Sequence, residues 1–391
     1  MAKRREDWRK AGVEVGPEVD LRRIAPDAVI HPGCRLRGEK LSIGPGCVIG
    51  EEGPATVVDC RLGRGVRLGG GFFSGAVFLD GARMGGNAHV RPGTLLEEEA
   101  SGAHAVGLKQ TILLPFVTLG SLINFCDVLM AGGTSRRDHS EVGSSYIHFN
   151  YTPQQDKATA SLIGDVPRGV FLRERPVFLG GQGGLVGPAR IAYGTVIAAG
   201  GVFRGDVTEE NRLVVPEPPR PGARPFDPAL YRRIGRRVRN NLAFIGNLLA
   251  LRAWYRHVRS RFLQRDDFDR ACLDGAIEQI EEALAERIRR LGQLAEKAAR
   301  SADRLEAAGE GGEAERQRAF AAAWPRIERE LRGEPREDAA ARRRFVERLP
   351  WAGMPYIEAV RALDAAARAE GRAWLQSIVD FAENLWKEGD E

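Results

Sequence analysis

"IGPGCVIGEEGP" (residues 43–54) and "LGRGVRLGGGFF" (residues 62–73) carry an aliphatic residue at every sixth position, each followed by glycine. The same period runs through "IAPDAVIHPGCR" (24–35) and returns in "LVGPAR" (185–190), "IAYGTV" (191–196) and "IAAGGV" (197–202). A six-residue repeat is the signature of a parallel β-helix. Each hexapeptide supplies one short strand and one turn, and three close a triangular coil of roughly 18 residues. The aliphatic residue points inward and stacks on its copies above and below. Glycine and small residues fit the corners, where positive φ is common. A β-sandwich would instead alternate along longer strands with wider turn spacing. The fold expected is a mainly β solenoid, a left-handed parallel β-helix over residues 12–213.

The composition changes beyond it. Most of the 47 glycines fall at or before Gly205, and the remainder of the 391-residue chain is rich in Ala, Arg, Glu and Leu. "VVPEPPRPGARPFD" (214–227) reads as a proline-rich linker. Asp227 and Pro228 read as a helix N-cap and first position. Leu230, Ile234, Val238, Leu242, Ile245 and Leu249 then recur at spacings of three and four, an amphipathic helix. A second helix is expected over about 266–308, and the last over about 355–387. Residues 228–391 therefore form an α-helical hairpin or bundle. The basic run 231–241 reads as a solvated helix face.

The net charge of +5 suits anionic small molecules and gives no argument for nucleic acid. Five cysteines (Cys34, Cys47, Cys60, Cys126, Cys272) without CxxC spacing predict reduced, buried thiols, with neither a disulfide framework nor a metal site. "MAKRREDWRKAG" at the start lacks an apolar segment, and no stretch is long enough to span a bilayer. A cytoplasmic protein is expected.

Several motifs recur in one order: "RPGTLLEEEASGAHAVGLK" (91–109), "FNYTPQQDK" (149–157), "LIGD" (162–165), "FLGGQGGLVGP" (178–188) and "IAAGGV". In that order they resemble the acetyltransferase domain of the GlmU family. Those enzymes acetylate glucosamine-1-phosphate on a trimeric left-handed β-helix and uridylate it in a separate domain. The resemblance covers about residues 91–206. It implies a homotrimer, acetyl-CoA as substrate and a sugar phosphate or sugar nucleotide as acceptor. It implies that Arg91 and Lys109 hold the anionic sugar, that Asn150 and Tyr151 position the acceptor, and that Gly180, Gly181, Ala198 and Ala199 line the acetyl-CoA channel. The family's serine in that channel falls at Gly181. Its Gly-His-Leu-x-Tyr segment falls on "GSLIN" (120–124), so Ser121 stands at the catalytic histidine and Asn124 at the aromatic partner. Both are carried as substrate-binding positions. No glycine-rich nucleotide-binding opening is found, so uridylyltransferase activity is not expected.

Acyl transfer needs a base for the incoming amine or hydroxyl, and a serine hydroxyl does not supply one unaided. His139 and His148 are the candidate bases. Asp138 and Glu141 lie close enough in sequence to orient His139, and strand alternation would put His148 on the side of Asn150. His104, five residues before Lys109, is a weaker candidate. Arg136, with Arg137, offers a phosphate clamp. Cys126 sits in an apolar run with nothing to activate it. The function expected is an acyl-CoA-dependent transferase acting on a sugar phosphate or on a nucleotide sugar such as UDP-N-acetylglucosamine. The alternatives are a catalytically degenerate sugar-nucleotide sensor and a trimeric scaffold.

Overall fold

The computed structural model describes residues 2–218, 221–223, 225–349 and 353–387, with side chains from residue 6 onward. Parts of the expected linker (219, 220, 224) and of the helical region (350–352, 388–391) lie outside the described residues.

The first half is a β-solenoid of parallel strands with three flat faces. Face A runs from Glu14–Val15 through Arg35–Arg37, Ala55–Val58, Gly71–Ser74 and Ala88–Val90 to Tyr146–Phe149, Gly183–Val186 and Val202–Arg204. Face B takes Ser42–Ile43, Arg61–Leu62, Ala76–Phe78 and Thr94–Leu96, then Ser161–Ile163 and Arg190–Ile191. Face C is a sheet of 10 strands from Val29–Ile30 to Leu213–Val214. Two long strands, Gly107–Leu113 and Ile123–Met130, bend across the A/B corner and join faces A and B into one 16-stranded sheet.

The six-residue register explains the core. Ile43 pairs with Leu62, Ile49 with Leu68 and Leu179 with Ile197, and all six are at most 1 % exposed. The corner between faces C and A imposes left-handed backbone coil after coil, at Asn87, Ala105, Leu122, Ser145 and Gln182 (φ from 49° to 62°, 59° at Leu122). Three insertions break the regular coils. One is a hairpin of Gly133–Ser135 with Asp138–His139, the antiparallel pair among the described strands. The second is the loop between Phe149 and Ser161 on the A/B corner. The third lies between Ile163 and Phe178 on the B/C corner.

Eight α-helices are described: α1 (Ala2–Lys10), α2 (Val166–Gly169), α3 (Ile234–His257), α4 (Asp267–Ala307), α5 (Gly311–Arg332), α6 (Ala339–Glu347), α7 (Tyr356–Ala362) and α8 (Ala365–Glu383). Asp266 caps α4 by accepting from the amides of Phe268 and Asp269. The first long helix starts later than its sequence suggests. Asp227 does accept from the Ala229 amide, but Arg233 adopts a left-handed φ of 56° and α3 begins only at Ile234. The last expected helix is two, because Leu363 is extended and Asp364 caps α8 afresh.

Helix α4 lies along face B, across Ser42–Ile43, Arg61–Leu62, Ala76–Phe78 and Thr94–Leu96, while α3 packs on Ser161–Ile163, α4 and α8. Gly275 permits the approach, since a Cβ there would stand 2.6 Å from Arg61 Cδ and 2.8 Å from Val77 Cγ2. The helical half thus covers one face and leaves A and C open. No helix among the described residues is long and apolar enough to cross a membrane.

The contact buries charge. Glu97 accepts from the Tyr255 hydroxyl at 2.6 Å, beside Glu98 paired with the fully buried Arg259, whose guanidinium stacks 3.7 Å from the Tyr356 ring centroid. Burial pushes the Glu97 carboxyl up to about 7; Arg259 opposes this and Glu98 adds to it. A carboxyl raised in the folded state destabilises it as pH climbs from the unfolded value toward the folded one. Stability should therefore fall as pH rises through the ordinary carboxylate range toward about 7. Glu97→Gln keeps an acceptor for Tyr255 and should flatten that segment of the urea-midpoint-versus-pH curve. An unchanged slope would contradict it.

Candidate active site

Arg91 follows the face A strand Ala88–Val90, and Lys109 lies one coil on, in the strand Gly107–Leu113. Both line a cleft of about 510 Å³ at the A/B corner, together with Pro92, Gln110 and the α4 residues Glu282, Ala285, Glu286 and Arg289. The Arg91 Nη2 lies 3.7 Å from the Cys126 Sγ, and its buried Nε has no protein partner. Lys109 is exposed. Arg91, Lys109 and Lys157 all draw the Cys126 thiol down, but burial and Asp127 raise it overall, so it stays protonated.

Behind the cleft, Arg287 of α4 is 2 % exposed and pairs with Asp127, itself 7 % exposed, at 2.8 Å. The same guanidinium donates to the Lys157 carbonyl and Gln110 Oε1. Asn150 Nδ2 donates to the other Asp127 oxygen at 2.9 Å. The 150–160 loop is further held by Lys297 on the Gln155 carbonyl (2.7 Å), Arg237 on Asp156 (3.0 Å) and Asn241 on the Ala158 carbonyl (3.0 Å). Tyr151 stands exposed on it. Asn124 faces outward on face A, its Oδ1 3.7 Å from Cys126 Sγ. The structure thus gathers Arg91, Lys109, Asn124, Asn150 and Tyr151 on face A and its corner with B. Lys157 and the α4 residues were not picked out from the sequence, because no local pattern states which surface a helix will cover.

The two candidate bases lie apart. His148 is 3 % exposed; its Nδ1 donates to the Cys126 carbonyl at 2.6 Å, and its Nε2 accepts from the Ser161 hydroxyl at 2.7 Å. Burial pushes it down to about 4, so it is neutral near pH 7 with both nitrogens engaged. It does not share a side with Asn150: it points into the solenoid, and Asn150 lies beyond the strand end. His139 sits on the hairpin at the B/C corner, bonded through Nδ1 to the Arg136 carbonyl at 2.9 Å, with Glu141 at 3.7 Å from Nε2. Arg136 turns inward to the carbonyls of Glu99 and Phe116 and to Thr118 Oγ1. Neither residue reaches the cleft of Arg91 and Lys109, since face B separates the two corners.

Ser121 lies at the C/A corner. Its hydroxyl meets His104 Nδ1 at 2.7 Å, and its amide donates to Ser144 Oγ at 3.1 Å. Gly143, Gly180, Gly181, Ala198 and Ala199 continue this corner coil by coil. Gly143 and Gly180 must be small: a Cβ on Gly143 would stand 2.4 Å from the Gly181 amide, and one on Gly180 2.3 Å from that of Ala199. Glycine at these positions lets each coil close down on the backbone of the next. Among the described residues no group of three or more His, Cys, Asp or Glu is placed to hold a metal.

No family model matches the chain. It is 29% identical over 185 residues to the bifunctional protein GlmU of Thermotoga sp. (strain RQ2), a match covering 47% of this chain and 37% of that protein. It is 26% identical over 210 residues to that of Shouchella clausii, covering 52% and 42%, and 28% identical over 206 residues to that of Kineococcus radiotolerans, covering 51% and 38%. The chain spans about two-fifths of the length of these relatives. About half of this chain is thus similar to bifunctional GlmU proteins, and its first half folds as the solenoid that their hexapeptide-repeat acetyltransferase domain would lead one to expect.

Proposed function

We propose that this chain transfers an acetyl group from acetyl-CoA to a sugar phosphate or sugar nucleotide, in the cytoplasm, as a homotrimer. The observation that carries the reading is the meeting of Arg91 and Lys109 in one cleft, with Lys157 near and Asn150 locked in place beside it. A purely structural solenoid has no use for cations gathered around an open cleft. They would hold the phosphate, and Asn150 and Tyr151 would position the sugar. The small residues Gly143, Gly181 and Ala199 at the C/A corner, across face A, would let a slender acyl-pantetheine arm approach the backbone closely.

The trimer is supported by where apolar side chains are left uncovered. Ile147 and Phe149 on face A, Leu122 at the C/A corner, and Phe178, Val196 and Leu213 in register on face C are all exposed. Among the described residues, the long helices α3 and α4 lie on face B. Patches of this kind mark protein interfaces.

Purified protein should melt higher with glucosamine-1-phosphate or UDP-N-acetylglucosamine, and higher again with acetyl-CoA, because ligands that bind the native state stabilise it by mass action. It should release CoA when given both, and sediment at the mass of three chains. Stabilisation by a sugar nucleotide with no response to acetyl-CoA and no CoA release would replace the transferase by a sensor, the reading that a serine at position 121 favours. No response to either ligand would leave the scaffold.

A further inference from the structure

We propose that His104 and Ser121 are the catalytic pair of this site, with Ser121 the nucleophile that takes the acyl group and His104 its base. The inference rests on the acyltransferase reading and supplies the base that reading lacks.

Two Ser–His contacts exist in the described structure, and only one is open. His148 and Ser161 also meet at 2.7 Å, but Ser161 is fully buried, and its oxygen also accepts from the Ala189 amide at 3.0 Å. His104 is exposed and Ser121 half-exposed. Their positions differ by 17, one coil of the solenoid, so the ring and the hydroxyl stack across adjacent turns. The Leu122 amide donates to the His104 carbonyl at 3.1 Å and fixes that register. The Ser121 amide is held by Ser144 Oγ, whose own hydroxyl hydrogen remains to donate to an oxyanion. The pair stands on the same corner as the small residues Gly143, Gly181 and Ala199 of the following coils. Arg91 and Lys109 stand at the other edge of face A, on the order of 10–15 Å away at about 3.3 Å per strand residue. A phosphate at one edge and an acyl carbon at the other fits one elongated acceptor lying across Gly107 and Asn124.

The chemistry closes. With His104 protonated on Nε2, its Nδ1 takes the Ser121 proton as Oγ attacks the thioester carbonyl. The C–S bond breaks, and the departing thiolate takes that proton from His104. The acceptor amine or hydroxyl then attacks the acetyl carbonyl, gives its proton to His104, and the serine leaves and recovers it.

The test uses the full chain and a small activated ester, p-nitrophenyl acetate, alongside acetyl-CoA. Intact mass and peptide mapping should find one acetyl group, on Ser121, formed in step with nitrophenolate or CoA release. His104→Gln should slow labelling by at least about 100-fold, and Ser121→Ala should abolish it, both with unchanged melting temperatures. His139→Ala and Ser161→Ala should label as wild type. An unlabelled Ser121, or labelling at the wild-type rate in His104→Gln, overturns the pair. Labelling without any sugar product keeps the pair and removes the sugar acyltransferase reading. Sugar acetylation without labelled Ser121 does the reverse.

Discussion

Replacing Arg287 by Ala should lower the unfolding free energy by about 3–5 kcal/mol, the usual consequence of removing one partner from a buried ion pair. The side chain is 2 % exposed and faces Asp127 at 2.8 Å, so truncation leaves a carboxylate without its cation in a site water does not reach. It also frees the Lys157 carbonyl and Gln110, and with them the 150–160 loop that carries Asn150 and Tyr151. Chemical denaturation followed by circular dichroism measures the loss. The cause can be separated from cavity formation. Asp127→Asn added to Arg287→Met removes both charges and keeps much of the volume, and should recover most of the stability. A single Arg287→Ala variant within about 1 kcal/mol of wild type would mean that solvent reaches the pair and that α4 does not depend on it.

The solenoid was legible because the inward aliphatic position is a covalent count. Six residues separate one stack from the next whatever lies between, and the count places Ile43, Leu62 and Ile191 in the interior without knowledge of any contact. The same count held information that strand alternation obscured. Val142 plus six is His148, an inward position, and the histidine pairs across to the buried Leu185. Ile147 and Phe149, apolar and outward, invert the usual pattern, which made the inward side of that strand look like the polar one. The His104–Ser121 contact carries a similar signal: a separation of one coil makes two corner residues neighbours. Other features have no local signature. The amphipathic pattern of α4 says that one stripe is covered but not that face B covers it, so Arg287 and Arg289 could not be assigned to the cleft. Arg136 and His139 read from the sequence as a phosphate clamp and a candidate base, yet the hairpin that carries them leaves from the B/C corner.

Arg91→Ala should raise KM for the sugar phosphate by about 10–100-fold with kcat changed far less. Removing a charge-assisted hydrogen bond costs roughly 1.5–3 kcal/mol, and each 1.4 kcal/mol is about tenfold. Arg91 is the stronger of the two cations because its guanidinium is half-buried against Cys126, with a buried Nε that has no protein partner, so the fork is set in place before the anion arrives. Arg91→Lys should therefore recover little of the loss, since a point charge does not reproduce a planar fork. Lys109 is exposed and screened by salt; Lys109→Ala should raise KM by less, and its effect should shrink as ionic strength rises. The double variant should lose about 100-fold or more, as expected if both cations hold the one phosphate that the proposed function assigns to them. The melting shift produced by acetyl-CoA belongs to the other corner and should be unchanged in all four variants. Normal KM values in Arg91→Ala and Lys109→Ala would place the phosphate elsewhere. Equal losses of the sugar and acetyl-CoA responses would instead point to a collapse of face A as a whole.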